Sequence, residues 1–92
     1  MEYPSPVKEG FTVYTRLDCK YCVKVKDLLR VEDEKVIFIP ADDFLVNKDA
    51  FLAFMATKGA VNHKTFPMVF HNGSFIGGFS ETLKFMAPEK QN

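Results

Sequence analysis

The chain has 92 residues, 47% of them hydrophobic and ten of them Phe, enough to close one modest core without a staple and too little for a second. Basic and acidic side chains balance at twelve each, and with no basic stripe carrying interleaved aromatics a nucleic acid partner is not expected. No basic start leads into an apolar run and nowhere do about 18 apolar residues follow one another, so neither secretion nor membrane insertion is expected.

Residues 1–10 hold Pro4, Pro6 and Gly10 among polar neighbours, which predicts an extended lead-in with order beginning near Phe11. The β-branched and aromatic run Phe11 to Thr15 predicts a buried strand, and Val23, Val25, Leu28 and Leu29 among lysines predict an amphipathic helix. Val36 to Ile39 predicts a second short strand ended by Pro40, and Ala50, Phe51, Leu52, Phe54 and Met55 predict a helix over about residues 47–58 with Gly59 as its stop. Met68 to His71 and Ser74 to Ile76 flank Asn72-Gly73, a strong hairpin signal, so these strands are expected to be antiparallel neighbours. Gly77 and Gly78 break the pattern before a short helix over about residues 80–86, stopped near Pro88.

The order β-α-β-α-β-β-α predicts a compact α/β fold: a four-stranded mixed sheet flanked by three helices, its two parallel strands joined by a right-handed helical crossover. One domain is expected over residues 11–86, with 87–92 as a polar tail. Cys19-Lys20-Tyr21-Cys22 then lies at the junction of the first strand and first helix. Such a pair can be a disulfide staple, an inert buried pair, half of a zinc site or a redox dithiol. Structural zinc calls for four S or N ligands, and His63 and His71 lie far downstream without ligand spacing, so no metal is expected. Met55, Met68 and Met86 are expected to be packing residues and Tyr14 sheet core.

Tyr14-Thr15-Arg16-Leu17-Asp18-Cys19-Lys20-Tyr21-Cys22, Thr65-Phe66-Pro67 and Gly77-Gly78-Phe79-Ser80-Glu81 occur in the order seen in the glutaredoxins, so residues 11–86 resemble a dithiol member of that family within the thioredoxin superfamily. The resemblance implies a thioredoxin-like fold, a cis Pro67 facing the cysteines, and glutathione as reducing cosubstrate with no tightly bound cofactor. It also implies a glutathione site. Arg16 would meet the glycyl carboxylate with Lys64 as a second candidate, and Tyr21, Phe66 and Pro67 would line the groove. Gly78, Phe79, Ser80 and Glu81 would take the γ-glutamyl end. By themselves the paired glycines only permit a tight turn, Pro67 can start a strand in trans, and a cation is more often a solvated surface group. Two positions depart from the common dithiol pattern: Lys20 stands where proline is usual, and Phe66 where a small β-branched residue is usual.

A thiolate attacks sulfur, and at an unperturbed pKa of about 8.5 little of a cysteine is ionised near neutrality. The start of the helix, Arg16 and Lys20 favour the anion at Cys19, and Asp18 opposes it if it faces the sulfur. Cys19 is therefore expected to attack, and Cys22, one helical turn further in, to resolve. The expected activity is glutathione-dependent reduction of protein disulfides and protein–glutathione mixed disulfides by a monomer in the cytoplasm. Ribonucleotide reductase is a client class suggested by the resemblance. Two alternatives remain: a redoxin of the same fold reduced by thioredoxin reductase, and a nonenzymatic adaptor or iron–sulfur carrier.

Overall fold

In the computed structural model, which describes residues 2–87, β1 (Phe11–Thr15) runs through the middle of the molecule with all five residues buried. A charge-free aromatic and β-branched strand can be covered on both faces, and that fixes its place. It pairs parallel with β2 (Val36–Pro40), Phe11 opposite Val36, and antiparallel with β3 (Met68–His71), Phe11 opposite His71. Adding β4 (Ser74–Gly77) antiparallel to β3 completes a mixed four-stranded sheet in the order β2-β1-β3-β4. Pro40 is the last residue of β2 rather than its boundary, since an edge strand can spare the missing N–H. The hairpin turns on Asn72 and Gly73, whose φ values of 52° and 84° are both left-handed, the geometry that matches the twist of adjacent strands.

Alternation along the strands divides the core in two. Tyr14, Met68 and Phe70 meet Phe51 and Met55 of α2 (Lys48–Thr57) on one face. Phe11, Val13 and Val69 meet Val25 and Leu29 of α1 (Lys20–Leu29), with Phe79 and Met86 of α3 (Phe79–Met86), on the other. The four-stranded mixed sheet expected from the element order, and with it the thioredoxin-like fold that the resemblance implies, is therefore present.

Several details differ from expectation. Val23 is exposed, because the buried stripe of α1 is set by Cys22, Val25 and Leu29 and Val23 falls beside it. A 3₁₀ helix, Asp42–Asn47, precedes α2, and Asn47 caps α2 by accepting the Ala50 N–H at 3.2 Å. Phe44 and Leu45 of that 3₁₀ helix pack on the core, a stretch too short to show a period in sequence. The last helix begins at Phe79, one residue early.

The lead-in has no regular element, yet it is docked. The Tyr3 ring lies 5.4, 5.3 and 5.3 Å from those of Phe44, Phe51 and Phe54, and the Tyr14 hydroxyl donates to the Pro4 carbonyl at 2.5 Å. Order thus begins by Tyr3 rather than near Phe11. Burial pushes the Tyr14 phenol up to about 12, keeping it neutral as a donor. Among the described residues no helix is long and apolar enough to cross a membrane. Residues 88–92, expected as a helix stop and polar tail, lie outside the described residues.

Candidate thiol–disulfide site

β1 ends at Thr15, and the chain crosses to α1 through Arg16, Leu17 and Asp18. Asp42 pins this crossing by accepting the Leu17 N–H at 2.9 Å, and Asp18 takes a left-handed φ of 54°, which a short polar side chain tolerates. Cys19 then falls on the N-cap of α1 in extended conformation and is joined to Cys22 by a disulfide, their Cα atoms 5.2 Å apart. The Cys22 backbone N–H points at the Cys19 Sγ at 3.2 Å. An N-cap sulfur facing a free helix amide is placed where negative charge is favoured. Cys22 has no equivalent amide; it packs on the buried stripe at 4% exposure against 9% for Cys19. Reduced protein should therefore alkylate at Cys19 several-fold faster than at Cys22 near neutral pH, as residue-resolved mass spectrometry of a short iodoacetamide pulse will show. Equal labelling, or faster labelling of Cys22, would reverse the assigned roles.

The Phe66–Pro67 peptide is cis, and the Phe66 carbonyl oxygen lies 3.6 Å from the Cys19 Sγ. With the disulfide closed this sulfur carries no proton, so the approach is a contact rather than a hydrogen bond. Phe66 both fills and lines: its ring stacks on Phe51 at 6.3 Å, and the residue borders open space. Two hollows meet at Thr65 and Phe66. One, of about 360 Å³, is bordered by Arg16, Leu45, Lys48 and Lys64; the other, of about 260 Å³, by Tyr21, His63, Pro67, Gly78, Phe79, Ser80 and Glu81. All nine residues expected around a ligand border one or other of these two hollows, which reach the disulfide through the Phe66 carbonyl beside Cys19. A third hollow of about 700 Å³, bordered by Arg16, Leu17, Lys20, Val23 and Lys26, has both cysteines in its lining.

Four residues bordering these hollows were not among the expected ligand contacts: Leu45, Lys48, His63 and Thr65. Lys48, first residue of α2, adds a cation beside Arg16 and Lys64, Thr65 lies where the hollows meet, and His63 borders the other end. Nothing in one sequence distinguishes Lys48 from the lysines that face solvent. Glu81 is also more committed than expected: its Oε1 accepts the Gly78 N–H at 2.9 Å, capping α3. That bond is the main cause holding its carboxyl below the ordinary value of 4.5, with the Glu81 backbone N–H next. Gly77 permits the arrangement. Its φ is 137°, and a Cβ there would come within 2.7 Å of the Glu81 Cβ and Cγ. Among the described residues no group of three or more His, Cys, Asp or Glu side chains is placed to hold a metal ion.

The fold, the N-cap cysteine, the disulfide to the next turn and the cis proline beside it define a thioredoxin-like redox protein. The glutaredoxin family model matches residues 11–76, and the chain belongs to that family. Among solved structures, the dithiolic glutaredoxin 2-C-Grx1 of Trypanosoma brucei brucei shares 26% identity at a TM-score of 0.72, over 89% of this chain and 81% of that one. Glutaredoxin 1 of Francisella tularensis shares 26% at 0.70, over 90% and 98%. A buckwheat glutaredoxin shares 25% at 0.68, over 87% and 70%. The hybrid peroxiredoxin hyPrx5 of Haemophilus influenzae is 28% identical over 90 residues, and the chain spans 34% of the length of that protein.

Proposed function

We propose that the chain is a glutathione-dependent thiol–disulfide oxidoreductase in which Cys19 attacks and Cys22 resolves. The observation that carries this is the groove: Arg16, Lys48 and Lys64 stand at one end, the first turn of α3 with Glu81 at the other, and Phe66, in contact with Cys19, in between. A tripeptide with a carboxylate at one end, an amino-acid head group at the other and a thiol in the middle matches that order. The buckwheat relative was solved with glutathione bound, which supports the same ligand here. Protein disulfides and glutathionylated proteins are the client class, with ribonucleotide reductase a candidate within it, and the chain works as a monomer in a reducing cytoplasm.

The departure at Phe66 favours one rival, a redoxin that takes electrons from a flavoprotein reductase. Turnover of a glutathionylated peptide with glutathione, set beside turnover with thioredoxin reductase and NADPH, separates the two. Activity in the reductase arm alone rejects our proposal. Within the glutathione arm, Arg16→Ala should lower kcat/KM for the glutathionylated peptide by about two- to fivefold, the worth of one exposed charge pair. It should leave a disulfide without glutathione carboxylates nearly unaffected. An equal loss on both substrates would mean that Arg16 acts on Cys19 or on the fold.

A further inference from the structure

His63 is outside every motif of the sequence and has no assigned task, yet it borders the groove beside Glu81, Phe79 and Pro67. Its ring is clamped edge-on against Phe75 at 5.1 Å with an interplanar angle of 73°. Among the described residues, its Nε2 is the one buried side-chain nitrogen or oxygen without a hydrogen-bond partner. An enclosed N–H with no acceptor is costlier and rarer than an enclosed unpaired acceptor, so the neutral ring carries its proton on Nδ1 and leaves Nε2 as a buried lone pair. The donor is then on the outer nitrogen.

The surroundings indicate what that donor meets. A Cβ built on Gly78 would lie 3.7 Å from the His63 Cε1, the carbon between the two nitrogens, and 3.5 Å from the Glu81 Oε1. Because Gly78 has no side chain, the imidazole edge stands open beside the start of α3, whose leading N–H groups have no partner within the helix. The Gly78 N–H itself is taken by Glu81. Glu81 is the acceptor of this corner, and the Phe79 and Ser80 amides with the His63 Nδ1–H are its donors.

We propose that His63 is a specificity-determining residue that donates from Nδ1 to the α-carboxylate of the γ-glutamyl head group of the thiol ligand. This rests on the glutathione reading above and extends it to a side chain that the resemblance does not assign. The arrangement selects for an amino-acid head group carrying its carboxylate, with Glu81 left to meet the ammonium.

The test compares three mixed disulfides of one peptide: with glutathione, with an analogue carrying 4-aminobutyryl for γ-glutamyl, which lacks the α-carboxylate, and with a glutaryl analogue, which lacks only the amine. His63→Phe keeps a ring against Phe75 and should raise KM about tenfold for the glutathione and glutaryl substrates, the loss expected of a hydrogen bond to a charged acceptor. It should barely move KM for the aminobutyryl substrate. His63→Asn places an amide donor near the Nδ1 position and should recover most of the loss, whereas His63→Gln, whose amide falls at the enclosed Nε2 position, should not. Equal changes on all three substrates would reduce His63 to packing, and a loss confined to substrates carrying the amine would assign it to the ammonium; either outcome overturns the proposal. If the unsubstituted protein fails to turn over the glutathione substrate, the parent reading falls and this one with it, a result distinct from turnover without His63 selectivity.

Discussion

Cys22→Ser is expected to keep deglutathionylating a peptide when glutathione is present, while Cys19→Ser loses all turnover. In the first variant the Cys19 thiolate attacks the glutathione sulfur of the mixed disulfide, the peptide thiolate leaves, and Cys19 carries glutathione. A second glutathione thiolate attacks that glutathione sulfur. Glutathione disulfide leaves and the Cys19 thiolate returns, so neither step needs Cys22. The N-cap amide that favours the thiolate is a backbone group and survives the substitution, which is why the chemistry stays with Cys19. On a protein disulfide with no glutathione present the same variant stalls, because Cys19 forms a mixed disulfide with the client that no neighbouring thiol opens. Parallel assays with a glutathionylated peptide plus glutathione, and with a stoichiometrically reduced protein plus a disulfide client, measure the split. Turnover by Cys19→Ser would sink the mechanism, and loss of both activities in a folded Cys22→Ser protein would favour the redoxin rival.

Phe51→Ala is expected to cost about 3–5 kcal/mol, from the lost transfer of a buried aromatic ring and the cavity it leaves. Phe51 is fully buried and its ring lies 5.3 Å from Tyr3, 5.5 Å from Phe44 and 6.3 Å from Phe66, so it joins the docked lead-in to the residue that touches Cys19. A domain of this size has about 5–15 kcal/mol in total. The midpoint of thermal unfolding should drop by more than about 10 °C. Because Phe66 loses the face it stacks on, the activity remaining below the transition should fall more on glutathionylated substrate than on Cys19 alkylation. A drop of only a degree or two would show that Tyr3 and Phe44 close over the gap and that the aromatic stack is not the support of this wall.

Much of this was legible from residue order. The buried run Phe11 to Thr15, the Asn72-Gly73 turn and the paired cysteines after a strand are signals set within a few residues by sterics and period, so the elements, the hairpin and the position of Cys19 at the head of a helix followed from sequence. The family pattern then named nine positions that the fold brings to two adjoining hollows. Tertiary structure decided the rest, because each remaining feature depends on a neighbour distant in the chain. Lys48 joins Arg16 and Lys64 only once α2 is laid across the sheet, and Val23 is left outside because packing chose the stripe through Cys22. Tyr3 has no period to betray that it caps an aromatic cluster assembled from the 3₁₀ helix and α2. His63 sits in a stretch without regular structure, beyond the left-handed Asn62, and only the folding of Phe75 and Gly78 around it leaves one ring nitrogen enclosed and unpaired. Local chemistry fixes which elements form and where the sulfur stands; which side chains surround that sulfur's ligand is set by long-range packing, which no window of sequence contains.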